Sequence, residues 1–129
     1  MKKSKLPGVN IQFPISQLIL QGKKTVETRT YPVPVKYLNQ EMWIVETPGK
    51  SKNFKARIVA KVIFTKSFRY ENRKQFYLDQ KRHCVTPDSQ WAWSNSPKWG
   101  WELKVLKVLR SPVAITQRVG IKFTKEIEF

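Results

Sequence analysis

The sequence contains almost none of the residue types that build metal centres, disulfides and nucleophilic active sites. Cys84 is the only cysteine, which excludes an internal disulfide, and the only histidine, His83, stands directly beside it. Neighbouring side chains on an extended chain point apart, and we find no third group that would orient them as a catalytic pair. We therefore expect a structural or surface role for both residues, no metal site and no other cofactor.

Long apolar runs are also absent. No stretch approaches the roughly 18 consecutive apolar residues of a membrane span, and residues 1–8 lack the apolar segment of a secretory signal. We therefore expect a cytoplasmic protein that does not act at a membrane. A length of 129 residues, without a linker, repeat or low-complexity segment, predicts a single domain over residues 1–129. The sequence leaves the oligomeric state open, with a monomer as the default.

Acidic residues are scarce, and this scarcity is the strongest signal in the composition. Lys and Arg together number 25 against 9 Asp and Glu, which gives a formal net charge of +16. A chain this basic favours a polyanionic partner, with RNA or DNA as the first candidate. No acidic residue occurs between Glu46 and Glu71, and we predict nucleic-acid contacts for the basic residues of this interval: Lys50, Lys52, Lys55, Arg57, Lys61, Lys66 and Arg69.

The same interval shows a clear period of two. Apolar residues occupy every second position over 54–64, which predicts a strand over 54–65 with one face buried. Lys55, Arg57 and Lys61 then form a row on the other face. This row is suited to follow a phosphate backbone, but it is equally compatible with the solvated outer face of a basic barrel.

The most informative segment is residues 22–29, which follow a short apolar run. If this segment is extended from Val26 onward, the side chains of Glu27 and Arg29 point to the same face. A glycine at the helix end lets the chain turn sharply, so that Lys24 can lie beside that pair. Such a partly solvated cluster can hold a polar planar ligand or transfer protons. The alternative is a helix C-terminus followed by a surface ion pair.

Four residues of this segment fit a family pattern. Gly22, Lys24, Glu27 and Arg29 match the motif G-x-K-x-x-E-x-R, and the flanking sequence over residues 8–35 resembles the usual context of that motif. The sequence thereby resembles ASCH domains, small barrels of the PUA-like superfamily. The resemblance implies binding of RNA or a nucleotide. Some members are enzymes, among them an amidohydrolase acting on acetylated cytidine and a ribonuclease, so hydrolysis of an N-acylated nucleoside or of RNA is the alternative.

The resemblance also implies roles for individual residues. A ligand pocket would be formed by Lys23, Lys24, Glu27 and Arg29, with Glu27 accepting from an exocyclic amine as carboxylates do for cytosine. In an enzyme, Lys24 and Glu27 would be catalytic. One departure stands against the amidohydrolase, because its members carry the proposed threonine nucleophile where this chain has Glu27. Thr28 is close by, but strand alternation is expected to turn it away from the pocket. A protein-interaction module with a vestigial pocket is a third class.

Four of the five tryptophans fall within residues 91–101. Trp101 leads into an apolar strand, and we predict that it lies in the core. Trp91 and Trp93 lie among turn-forming residues and are predicted to line the ligand pocket, because indole faces beside basic side chains stack well on bases. Packing in the core is the alternative for these two residues.

The patterns and the resemblance together predict an α+β, mainly β fold, a small PUA-like mixed β-barrel with two to three flanking helices. The predicted strands cover residues 9–13, 26–31, 42–46, 54–65, 101–109 and 120–129. The predicted helical segments cover residues 16–21, 35–40 and 70–82, of which the second is a single turn. Ser16 is the expected N-cap of the first helix, and Gly22 is expected to end it.

Overall fold

Ten short elements make up the part of the chain that the computed structural model describes, residues 5–49, 54–115 and 123–128. Six are strands: β1 Lys5–Gln12, β2 Val26–Arg29, β3 Glu41–Thr47, β4 Arg57–Tyr70, β5 Lys98–Ala114 and β6 Phe123–Glu128. Three are short α-helices, and one is a 3-10 turn: α1 Ile15–Leu20, α2 Arg73–Leu78, α3 Gln80–His83 and the turn Val35–Tyr37. The predicted mainly β class is confirmed.

The six strands belong to one mixed sheet with the order β2-β5-β4-β3-β1-β6. β1 and β3 are parallel, and the other described pairs are antiparallel. Two strands separate β1 from β5 in this order, yet Val9 and Ile11 of β1 share one buried cluster with Trp101 and Leu103 of β5. A flat sheet cannot bring these side chains together. The sheet therefore wraps around its core, with β2 and β6 as the two ends of the hydrogen-bonded order.

The alternation of apolar residues over 54–64 predicted a strand with one buried face, and β4 has this face. The alternate apolar side chains of this strand are fully buried: Ile58, Ala60, Val62 and Phe64. The strand begins at Arg57 rather than at residue 54, and it continues to Tyr70. This extension follows from pairing with β5, which accompanies β4 over its whole length. Because that pairing joins residues that are distant in the sequence, the local pattern could not predict where the strand ends.

The predicted helix over residues 70–82 is only partly correct. Tyr70 is the last residue of β4, and its ring packs edge-on against Phe76 at 5.1 Å between centroids. Helix α2 starts after Asn72, whose side chain accepts a 2.8 Å hydrogen bond from the backbone N–H of Gln75. A second short helix, α3, follows. The spacing of the aromatic residues suits a helix, but Tyr70 also suits a strand, and its pairing with β5 decides the outcome.

Helix α1 ends as predicted but begins differently. Gly22 adopts a left-handed conformation with a φ of 78°, which a residue without Cβ tolerates best and which turns the chain after the helix. Ser16 is not the N-cap. It lies fully buried inside the helix, and its hydroxyl donates a 2.5 Å hydrogen bond to Oε2 of Glu46. As an N-cap the hydroxyl would accept from a backbone N–H, whereas here it donates to a buried carboxylate in a charge-assisted hydrogen bond.

The remaining strands match the prediction with shifted ends. β2 stops at Arg29, two residues before the predicted end, and β5 covers residues 98–114 instead of 101–109. β6 falls within the predicted segment 120–129, of which residues 120–122 and 129 lie outside the described ranges. Within those ranges, no helix has the length and apolar character that a membrane crossing requires.

Candidate functional site

Lys24, Glu27 and Arg29 converge in one cluster. The two carboxylate oxygens of Glu27 meet different cations: Oε1 lies 3.6 Å from Nζ of Lys24, and Oε2 lies 3.0 Å from Nε of Arg29. Lys24 is only 2% exposed and Glu27 only 8%. The three side chains thus meet as the alternation of β2 and the turn at Gly22 predict. Lys24 and Glu27 are more buried than a partly solvated cluster would be, whereas the Arg29 side chain remains 17% exposed.

Lys24 is held in place by the end of α3. Its Nζ donates a 2.5 Å hydrogen bond to the backbone carbonyl of His83, and the N–H of Thr25 donates to the carbonyl of Arg82 at 2.9 Å. Helix α3 is in turn tied to β5, because Nη1 of Arg82 lies 3.1 Å from Oε2 of Glu102. The position of the Lys24 ammonium group therefore depends on a helix distant in sequence.

The ring of His83 is occupied by backbone groups. Nδ1 accepts from the N–H of Val85 at 2.9 Å, so Nε2 carries the proton and donates to the carbonyl of Phe76 at 2.7 Å. Burial lowers the pKa of this ring, and the residue serves the structure. Cys84 is partly exposed, and its Sγ faces the carbonyl of Lys23 at 3.4 Å. Among the described residues, no group of three or more His, Cys, Asp or Glu could hold a metal ion.

Arg29 connects β2 with β1. Its Nη2 donates a 2.8 Å hydrogen bond to the backbone carbonyl of Asn10, and its guanidinium lies 5.5 Å from the ring centre of Trp101. Tyr31 lies next to the guanidinium. Burial raises the pKa of Tyr31, and the charge and hydrogen bond of Arg29 offset this only in part. The phenol is therefore protonated at neutral pH and contributes a neutral polar group to the cluster.

The cluster lines a cavity of about 370 Å³. Trp91 also lines this cavity and is 37% exposed, which places its indole at the rim. Thr28, between Glu27 and Arg29 on β2, also borders the cavity. Lys23 and Trp93 are not among the described residues that line the cavity. Lys23 is exposed, and the ring of Trp93 packs against Phe76 at 5.6 Å between centroids.

The core position predicted for Trp101 is confirmed. The residue is fully buried, and its ring packs edge-on against Phe64 and Tyr31 at 5.3 and 5.4 Å between centroids. Its indole Nε1 donates a 2.9 Å hydrogen bond to the carbonyl of Tyr31. Trp101 thus supports the cavity wall from the core side without being one of its lining residues.

Lys98 is a cavity residue that the sequence reasoning missed. It is the first residue of β5, lines the cavity and is only 8% exposed. Its Nζ donates a 2.9 Å hydrogen bond to the carbonyl of Trp91, and burial lowers its pKa. Within the described ranges, no carboxylate pairs with it. The sequence offered little signal, because a lysine that follows a Ser-Asn-Ser-Pro turn is typical of a solvated loop.

The basic residues predicted to contact nucleic acid are of two kinds: some pair with a carboxylate, and others are exposed. Arg57 pairs with the fully buried Glu46 at 2.8 Å, and Lys61 pairs with Glu41 at 3.4 Å. Three further residues of the interval are exposed: Lys55, Lys66 and Arg69. Lys50 and Lys52 lie outside the described ranges. Arg57 and Lys61 therefore have structural partners, which the acid-free interval itself could not reveal.

The neighbouring strand β5 adds exposed lysines that the prediction did not include. Lys107 stands opposite Lys61 in the β4–β5 register, and Lys104 stands opposite Ile63. Both lysines are exposed. The accessible basic surface is therefore spread over two strands rather than confined to the predicted row. Lys66, Lys104 and Lys107 share one side of the sheet in this register, and we call them the β4–β5 basic face, whereas Arg69, opposite Trp99, lies on the other side.

Comparison with known proteins yields a match in structure alone. No family model and no curated protein matches the sequence. The crystal structure of ASCH from Zymomonas mobilis superposes with a TM-score of 0.69 at 15% identity, covering 92% of this chain and 85% of that chain. Structures of two mutants of the Zymomonas mobilis protein give TM-scores of 0.67 and 0.68 at 14% and 15% identity, again over 92% of this chain.

The wrapped mixed sheet and the structural match together define the class. The chain has the fold of an ASCH domain, as the motif around Lys24 predicted. At this level of identity the match concerns the fold alone, and the activity has to be argued from the site.

Proposed function

We propose that this protein binds RNA or a nucleotide and that a base enters the cavity beside Lys24, Glu27 and Arg29. The observation that carries the proposal is the convergence of these three side chains, with contacts of 3.6 and 3.0 Å, on a cavity of about 370 Å³. Cavities of about 300–1,000 Å³ with a few convergent polar groups are typical of small-ligand sites.

The three side chains offer complementary recognition groups. The Glu27 carboxylate is oriented by Lys24 and Arg29 and presents acceptors suited to an exocyclic amine. Arg29 and Lys24 present donors for carbonyl or phosphate oxygens. Trp91 at the rim offers an indole face on which a base can stack. Together these groups suit a planar, polar, hydrogen-bonding ligand better than an apolar one.

A longer RNA would extend from the cavity over the basic surface. Lys55, Arg69 and the three residues of the β4–β5 basic face are exposed and are therefore able to contact phosphates. Such contacts position the nucleic acid without reading its sequence, so the cavity would supply specificity and the surface would supply affinity.

Hydrolysis is the second candidate, and one observation favours it. Lys24 lies 3.6 Å from Glu27 in the buried part of the cavity wall. A lysine and a carboxylate so placed can move protons for the cleavage of an N-acylated nucleoside or of RNA. Because this chain has Glu27 where the amidohydrolase motif has a threonine, we rank hydrolysis below simple binding.

The test is a titration of the four ribonucleosides, their monophosphates and a short RNA against the wild type, Trp91→Leu and Glu27→Gln. We expect Trp91→Leu to weaken binding about tenfold, because base stacking contributes roughly 1–3 kcal/mol. Glu27→Gln should weaken the ligands with an exocyclic amine most. Glu71→Gln, which removes an exposed carboxylate, is the control. Circular dichroism establishes that each variant is folded before its affinity is compared.

Adding an N-acylated nucleoside and the variant Lys24→Ala to this experiment decides between binding and hydrolysis. If the protein is an enzyme, the wild type converts an N-acylated nucleoside or cleaves the RNA, and Lys24→Ala lowers the rate by at least about a hundredfold. If it is a binding protein, no conversion occurs and the variants change affinity alone. An absence of binding at low salt by the folded wild type would remove both candidates.

A further inference from the structure

Among the described residues of the cavity wall, Lys98 is the cation with no carboxylate beside it. Lys24 and Arg29 share Glu27, whereas Lys98 is only 8% exposed and its ammonium contacts the carbonyl of Trp91 at 2.9 Å. Burying a cation without an anionic partner is unfavourable, which explains why its pKa is lowered. An anion that entered the cavity would relieve this unfavourable burial of charge.

The charges of the cavity wall are unbalanced. Its described lining contains three cationic side chains, Lys24, Arg29 and Lys98, and one carboxylate, Glu27. The wall therefore has a formal excess of two positive charges before any ligand enters. A neutral nucleoside would leave this excess in place, whereas a phosphate group would neutralise it.

We propose that Lys98 recognises an anion in this cavity and that the ligand is consequently a nucleotide bearing a phosphate group rather than a free nucleoside. An ammonium group has three N–H donors. One donates to the Trp91 carbonyl, and two remain for phosphate oxygens. This assignment rests on the proposed nucleotide-binding function and specifies the class of ligand for the same site.

The contact with Trp91 gives Lys98 a second effect. Trp91 lies at the rim of the cavity, and its backbone is held by the Lys98 ammonium. A phosphate bound at Lys98 would therefore lie next to the backbone of the residue whose indole is proposed to stack the base. Phosphate and base recognition would be adjacent, as the compact shape of a mononucleotide requires.

The experiment compares each of the four ribonucleosides with its 5′- and 3′-monophosphate, by calorimetric titration at low salt. The proteins are the wild type, Lys98→Met, Lys98→Arg and the control Arg110→Met, which removes an exposed cation of the same strand outside the proposed binding surfaces. We expect the wild type to prefer a monophosphate over its nucleoside by about tenfold to a hundredfold, the usual effect of a charge-assisted hydrogen bond. Lys98→Met should lose this preference, while Lys98→Arg should retain much of it and Arg110→Met all of it.

The outcomes separate this inference from the proposed function. Equal affinity of the wild type for nucleosides and monophosphates overturns the inference while leaving nucleoside binding intact. This comparison needs no variant, so it stands even if Lys98→Met fails to fold. A preference that persists in folded Lys98→Met also overturns it. If none of the nucleosides, the nucleotides or RNA binds, the proposed function fails and the inference fails with it.

Discussion

The guanidinium of Arg29 on β2 donates a 2.8 Å hydrogen bond to the backbone carbonyl of Asn10 on β1, although β5, β4 and β3 lie between these strands in the sheet. A side chain therefore bridges two parts of the sheet that are not hydrogen-bonded neighbours. The cavity lies at this junction, since Asn10, Glu27 and Arg29 all line it. The curvature of the sheet and the formation of the site are thus linked through one residue.

Arg29→Lys tests this link. A lysine keeps the charge but lacks the planar fork, so it cannot reach both the Glu27 carboxylate and the Asn10 carbonyl. We expect a loss of about 1–2 kcal/mol in the free energy of unfolding, together with weaker ligand binding. Urea denaturation measures the first effect, and Arg69→Lys, an exchange at an exposed position, is the matched control. Equal stability of the two variants would show that the bridge does not hold the sheet.

Burial of the cluster sets an order of stability for its variants. Glu27→Gln leaves Lys24 and Arg29 without their shared carboxylate and should cost about 3 kcal/mol, as for broken buried ion pairs. Lys24→Met leaves Glu27 with Arg29 and should cost less, about 1–2 kcal/mol. Chemical denaturation of both variants gives the two values. The reverse order would mean that the contact of Lys24 with the His83 carbonyl matters more than the charge balance.

The lowered pKa of Glu46 predicts how the stability of the protein falls at acidic pH. Burial tends to raise its pKa, but hydrogen bonds from Ser16, Gln17 and Arg57 outweigh burial and lower the pKa below its ordinary value of 4.5. The unfolded chain therefore takes up this proton at a higher pH than the folded chain does. The contribution of Glu46 is complete above about pH 5 and is lost as the pH falls through the lowered pKa.

Glu46→Gln should reduce the loss of stability at acidic pH, because glutamine does not titrate. It should also destabilise the protein at pH 7 by leaving Arg57 without its carboxylate. Thermal unfolding from pH 7 down to pH 3 measures both effects. A variant that retains the full acid sensitivity of the wild type would assign that sensitivity to other carboxylates.

His83 predicts a separate dependence near neutral pH. Burial is the largest cause that lowers its pKa below 6.5, so the folded ring stays neutral where the unfolded ring becomes protonated. Stability should therefore fall as the pH is lowered from 7.5 through 6.5 toward the folded pKa. His83 is the only histidine, so His83→Asn should abolish most of this slope, even though the variant is less stable throughout. Urea midpoints at pH 7.5 and pH 5.5 provide the measurement.

Neutralising the β4–β5 basic face should weaken RNA binding, whereas neutralising Arg57 should lower the stability of the fold. Replacing Lys66, Lys104 and Lys107 with glutamine should reduce the salt dependence of RNA binding by roughly 0.7 in slope for each phosphate group that is no longer bound, with little change in thermal stability. Arg57→Gln should lower the stability, because it removes the cation beside the buried Glu46. A salt series and a melting curve of both variants decide whether the two groups of residues have been assigned correctly.

Local patterns in the sequence were sufficient for the features that depend on neighbouring residues. The alternation along β4 predicted its buried face, Gly22 predicted the end of α1, and the spacing of residues 24, 27 and 29 predicted their convergence. Each of these follows from the fixed geometry of a strand or a helix end, which a few consecutive residues define. The boundary at Tyr70 could not be predicted, because aromatic residues suit both helices and strands.

The sequence by itself determined the mainly β class, the basic character and the identity of the residues in the motif. The tertiary structure decided what those residues are paired with. Register pairing places Arg57 opposite Glu46, and the position of Lys98 at the start of β5 brings it into the cavity wall. These relationships join residues that are distant in the chain, and burial then sets their energetic weight. The spacing of residues along the sequence records neither this pairing nor the loss of solvation. For this reason the sequence could not show that Arg57 forms an ion pair with Glu46 or that Lys98 is a buried cation.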